Sequence, residues 1–210
     1  MVIKTWQKVL FVGSIGAFIL YVNRQRVVKG GRYIKRKFSD LVNMFASKWV
    51  GVTEIGENQS FANDVFQGMM KNIGWRSTEA WCMYFAKAIH YEALKNNPTE
   101  QAKVNKILSG STQLSYVKAK NDNTNTYTTS TTPKEGDIII FQNTNDTSKG
   151  HAGIVVKVNN NNTVDTIEGN TSDKNIREGD IVARKNRTSV IGKSIGGNLV
   201  LRGFIRKLNV

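Results

Sequence analysis

The chain has one cysteine, two histidines and two prolines in 210 residues. A single cysteine excludes an internal disulfide, so the fold must hold through its core. It does not exclude export, because a chain of this length needs no cross-links. Acids are scarce at one end. Residues 1–48 carry ten Lys/Arg and a single acid, Asp40, which leaves twenty and fifteen for the remainder. Most of the net charge of +14 therefore belongs to the amino-terminal stretch. Aromatics are sparse among those charges, with only Tyr33 and Phe38 in the basic segment. Nucleic-acid binding wants basic residues interleaved with aromatics on one face, so it is not expected. An anionic lipid or an anionic wall polymer suits such a segment better.

Long apolar runs are almost absent too. The one candidate is "VLFVGSIGAFILYV", residues 9–22. It falls short of the roughly 20 residues that span a bilayer. Val2–Lys8 would extend it, with Trp6 at the interface and Lys4 and Lys8 snorkelling. No small-x-small cleavage site follows. "NRQRVVKGGRYIKRKF" follows instead, with seven basic residues from Arg24 to Lys37. The expectation is an uncleaved transmembrane anchor over 1–23, then a basic stem and linker helix over 24–47. The positive flank is carboxy-terminal, which by the positive-inside rule favours a cytoplasmic main domain.

The body, residues 48–210, reads as helices followed by strands, an α+β layout. Ser60 could cap a helix whose apolar face is Phe61, Val65, Phe66 and Met69. A second helix is expected over 78–95, opened by Ser77 or Thr78 with Glu79 in its first turn. A third follows Pro98, from Thr99 to Leu108. The polar, Thr/Asn-rich stretch 121–136 reads as a loop. "DIIIF" (137–141), "HAGIVVKV" (151–158) and "TVDTIEG" (163–169) are β-branched runs, with "NNNN" (159–162) as a hairpin turn. "LVLRGFIRKL" (199–208) closes the pattern as a strand.

The lone cysteine, in "AWCMYF", falls in the first turn of the second helix. A helix amino terminus favours a thiolate over a thiol. A thiolate nucleophile also needs a base. His90 lies eight residues along the same helix, about 12 Å of rise away, and cannot reach Cys82. His151 opens a strand far off in sequence, as a base delivered by folding would. Its second ring nitrogen needs an orienting acceptor. Glu168 and Asn170 in "TIEGN" share one face if the strand stays extended. Asp165 points to the other face.

"AWCMYFAKAI", "PKEGDIIIF", "GHAGIVVKV" and "IEGN", in that order, resemble the CHAP family of cysteine-dependent peptidoglycan hydrolases, within the papain-like, NlpC/P60-like group. "WVGVTEIGENQS" (49–60) also resembles the opening of some phage and bacterial members. The resemblance implies helices packed on an antiparallel sheet, with Cys82 as nucleophile, His151 as general base, Glu168 as orienting acid and Asn170 as a supporting polar group. Gly136 and Asp137 would be structural. The reaction implied is cleavage of an N-acetylmuramoyl-L-alanine or wall-peptide amide, with no cofactor. Some members carry an aspartate-rich calcium loop before the cysteine. None is present here, so no metal is expected. No wall-binding repeat follows, so targeting would fall to the anchor or stem. A membrane-anchored lysin of a phage virion or host envelope fits this set. The rival is an anchored interaction protein with a silent CHAP-like fold, which would lack a member of the Cys/His/acid set.

Overall fold

The computed structural model describes residues 36–172 and 179–208, and before them the backbone of four short strands. The chain divides into two compact units, Met1–Lys37 and Phe38–Val210. In the first, β1 (Lys8–Leu10) pairs antiparallel with β2 (Ile19–Tyr21), Val9 opposite Leu20. Likewise β3 (Val27–Lys29) pairs with β4 (Arg32–Ile34). The described parts of 1–23 are therefore strands, not the single spanning helix expected there. β-Branched and aromatic residues suit a strand at least as well as a helix. The rest of 1–23 lies outside the described residues. No helix among the described residues is long and apolar enough to cross a membrane.

The second unit opens with α1 (Phe38–Ser47), expected as a linker. It is instead part of the body, because Val42 and Ala46 are fully buried in the core. The unit boundary thus lies at 37/38, not at 48. A small hairpin follows, β5 (Glu54–Ile55) with β6 (Ser60–Phe61). Then come α2 (Asp64–Asn72), α3 (Cys82–Ala93), α4 (Pro98–Ile107) and α5 (Thr112–Lys120). Because Ser60 is spent in the hairpin, α2 starts later than expected, capped by the Asn63 carboxamide on the Phe66 N–H at 2.9 Å. The shift turns Val65 outward while Phe66 and Met70 face the core. Asn97 caps α4, which takes Pro98 into its first turn rather than starting at Thr99.

The remaining strands are β7 (Tyr127–Ser130), β8 (Ile138–Asn143), β9 (Gly150–Val158), β10 (Thr163–Thr171), β11 (Ile181–Thr188), β12 (Ser194–Gly196) and β13 (Leu199–Lys207). They form one antiparallel sheet in the order β11-β10-β9-β8-β13-β12, with β7 also on β13. Asn159–Asn162 turn β9 into β10, with Asn162 at φ 57°. Period-two alternation explains the unbroken apolar run in β8. Ile138 and Ile140 join the core under the helices, while Ile139 and Phe141 join a second cluster with Val155, Val164, Leu201 and Phe204. Each fully buried Ile or Phe contributes about 1.5–3 kcal/mol. Helix α3 lies deepest, with Met83, Phe85, Ala86 and Ile89 fully buried. It packs on β9 and β10.

Candidate active site

Cys82 is the first residue of α3, not a residue further along its first turn. The helix opens later than Ser77 or Thr78 because the preceding segment is held in a turn. Thr78 has φ 75°, outside helical space. The Glu79 carboxylate accepts from the Arg76 N–H at 3.3 Å and the Tyr84 hydroxyl at 2.7 Å. Its carbonyl accepts from Trp75 Nε1 at 2.9 Å. The β5–β6 hairpin clamps the same segment: Thr78 N–H donates to the Asn58 carbonyl at 2.6 Å, and Trp81 Nε1 to Glu54 Oε2 at 2.6 Å. Cys82 is thereby placed among the backbone N–H groups that have no partner within the helix. That end of the dipole favours an anion.

His151 is the second residue of β9, opposite Phe141 of β8, on whose ring it stacks at 6.3 Å. Its Nε2 lies 3.0 Å from Glu168 Oε2 on β10. Its ring also interacts electrostatically with Cys82. With Nε2 committed to Glu168, Nδ1 is the nitrogen left for the sulfur. Burial pulls the imidazole pKa down, but its interactions with Cys82 and Glu168 outweigh burial and push it up to about 10. The ring is therefore charged at neutral pH, the state that pairs with a thiolate.

Glu168 is completely buried, and every lone-pair direction it offers is used. Oε2 accepts from His151 and, at 2.7 Å, from Arg187 Nη2. Oε1 accepts from Arg187 Nε at 2.9 Å and from the Thr166 hydroxyl at 2.6 Å. Burial alone would raise its pKa. The Arg187 and His151 bonds instead hold it well below the usual carboxylate range. Arg187, on β11, and Thr166, two residues before Glu168, have no signature in the sequence pattern. The only hint of Thr166 is its strand spacing, which puts it on the face of Glu168.

Two glycines allow this approach. A Cβ at Gly153 would lie 2.5 Å from Glu168 Cγ, so the carboxylate arm crosses β9 only because position 153 is bare. A Cβ at Gly169 would lie 2.5 Å from the Trp81 ring and 2.8 Å from Phe85 Cβ. Gly169 is thus where the start of α3 meets β10.

Asn170 departs from the extended geometry. Its φ is 52°, and the β10–β11 register shifts between Glu168 and Thr171. It lines a cavity of about 350 Å³ with His151, Lys185, Arg187, Gly196, Gly197 and Leu199. Cys82, 6% exposed, is not on that wall. Asp165 bonds Asn159 and Asn186 on the opposite face of the strand, as its spacing predicts. His90 is buried between the Tyr127 hydroxyl (3.1 Å) and the Gly136 carbonyl (3.0 Å). Burial holds its pKa down at about 3, so it is a neutral core residue. Gly136 takes φ 89°, and Asp137 pairs with Arg206 at 2.7 Å, both structural.

The CHAP domain model matches residues 73–170. Neither a curated protein nor a solved structure matches the chain. The matched stretch holds Cys82, His151, Glu168 and Asn170 and stops short of Arg187. Over residues 73–170, this chain is similar to the CHAP domain family.

Proposed function

We propose that the chain is a peptidoglycan hydrolase that cleaves an amide in the wall peptide, with Cys82 as nucleophile, His151 as acid–base and Glu168 as its orienter. The observation that carries this reading is the His151–Glu168 pair, Nε2 to Oε2 at 3.0 Å, on an imidazole that also feels Cys82 at the amino terminus of α3. The CHAP match supports the substrate class.

The Cys82 thiolate attacks the amide carbonyl carbon, and the carbonyl π electrons move onto oxygen. The Cys82 N–H, free of an intrahelical partner, is placed to stabilise that oxyanion. The C–N bond breaks as the His151 imidazolium protonates the departing amine. A thioester to Cys82 remains. Neutral His151 then takes a proton from water, hydroxide adds to the thioester, and the carboxylate leaves with the thiolate restored. Glu168 keeps Nε2 protonated and Nδ1 facing the reaction throughout. Asn170, on the wall of the adjoining cavity, is a supporting polar contact for substrate.

The setting we propose is a bacterial envelope or a phage virion membrane, with the basic stretch 24–37 holding the enzyme against an anionic surface. Binding of the full chain to anionic but not zwitterionic vesicles checks this. The activity is tested by mass spectrometry of products from purified sacculi. New amine and carboxyl termini at one bond type are expected from the wild type and not from Cys82→Ser. Release undiminished in Cys82→Ser removes Cys82 from the mechanism, and no release by the wild type rejects the enzyme reading.

A further inference from the structure

Glu168 has two cationic partners, and the reaction above uses only one. The other, Arg187, sits 19 residues further along on the neighbouring strand, outside the stretch the CHAP model matches. Its guanidinium grips both carboxylate oxygens, Nε to Oε1 at 2.9 Å and Nη2 to Oε2 at 2.7 Å. This is the two-pronged geometry in which arginine cannot be replaced by a point charge without loss of direction. The guanidinium is half-buried, faces the Phe141 ring at 5.9 Å and lines the cavity next to His151.

We propose that Arg187 is a positioning residue of the active site: it fixes the Glu168 carboxylate in its ionised form, aimed at His151, and so sets the pH range over which the Cys82–His151 ion pair exists. The proposal rests on the site described above but not on any particular substrate.

The charge balance gives the sign. With the thiolate formed, Cys82, His151, Glu168 and Arg187 sum to zero. Without Arg187 the same state leaves a net negative charge in a buried cluster. Every proton in it then becomes harder to remove. Other groups face the cluster. Lys185, on the same strand, lines the cavity and donates to the Ser172 carbonyl. Glu54 sits at the start of α3 on Trp81. From β8, β12 and β13 the neighbours are the uncharged Phe141, Ile195 and Leu199. Lys185 and Glu54 stay in place when Arg187 is changed, so they shift all variants alike.

The single cysteine permits a test that needs no substrate. The rate of Cys82 alkylation by iodoacetamide, followed against pH on the full chain, reads the thiolate directly. In Arg187→Met the midpoint is expected to rise by about one pH unit. In Arg187→Lys, which keeps the charge but not the fork, the midpoint stays within a few tenths of wild type while muropeptide release falls several-fold. A role limited to holding the fold would lower the folded fraction and leave the midpoint where it is. An unmoved midpoint in folded Arg187→Met overturns the proposal, and so does an Arg187→Lys midpoint displaced as far as that of Arg187→Met. If Arg187→Met does not fold, Arg187→Gln, neutral but still a donor to Glu168, gives the same reading. If the wild type releases nothing from sacculi while Arg187→Met still displaces the midpoint, the substrate is refuted and Arg187's role stands.

Discussion

The two histidines of this chain occupy opposite electrostatic worlds at nearly the same depth. His90 is fully buried on α3 between a phenol and a carbonyl, both neutral, and its pKa falls to about 3. His151, with a side chain 12% exposed, lies between a thiol and a carboxylate, and its pKa rises to about 10. Burial alone disfavours the charged imidazole in both. What differs is the partner. A neutral partner leaves the desolvation cost standing, while groups that are themselves charged reverse it. A core histidine and the proposed acid–base are thus told apart by their neighbours rather than by their exposure.

The contrast can be broken from the reactive side first. Cys82→Ser should reduce muropeptide release to background, a fall of about 10⁴-fold or more, with unchanged thermal unfolding. His151→Ala should cost about 10³-fold, because it removes proton transfer in both halves of the reaction. Glu168→Gln should cost less, about 10²-fold, since the orienter moves no proton itself. Equal or reversed losses in the last two, at unchanged stability, would reassign the third residue. These rates are to be measured on the same sacculi.

His90→Phe sharpens the contrast from the other side. It leaves the Tyr127 hydroxyl and the Gly136 carbonyl without their partner, at a cost of about 1–3 kcal/mol in denaturant unfolding. Activity per folded molecule should not change. The pH dependence of stability should separate the two rings as well. His90 has a folded pKa below its unfolded one. Between pH 6.5 and about 3 the unfolded chain binds the extra proton, so stability falls as pH drops through that window. His151 is the reverse. Its contribution is complete below pH 6.5 and is lost as pH rises toward about 10. His90→Phe should flatten the acid loss between pH 6.5 and 5, above the range where Glu168 contributes. His151→Ala should flatten the alkaline loss. A His90→Phe profile parallel to wild type would mean that ring 90 titrates freely.

Much of the site is legible in the sequence because its parts lie where local rules speak clearly. Cys82 is near a helix start, His151 opens a β-branched strand, and Glu168 lies across a short Asn turn from it. The rest depends on contacts that no local rule encodes. The start of α3 is set by Glu79 and the β5–β6 hairpin, which override the capping signal at Ser77 and Thr78. Strands β7 and β11 are hidden because their sequences, "YTTS" and "IVARKNRT", are too polar to alternate cleanly. β11 gains its place by pairing residue for residue with β10 from Thr163 to Glu168, Val164 opposite Arg187. Arg187 was therefore invisible without the sheet. Helix α5 hid for a related reason: its inward residues include Thr112, Gln113 and Ser115, so it shows no apolar stripe.

The proposed nucleophile rides on a helix and its proposed base on a sheet, and Gly169 is the spacer between those two bodies. A hydrogen is all the gap tolerates. Serial enlargement there, through alanine to serine to valine, would pry the layers apart in small steps without altering one reacting atom. The gap between sulfur and ring thus becomes an adjustable dial for how steeply turnover decays with separation.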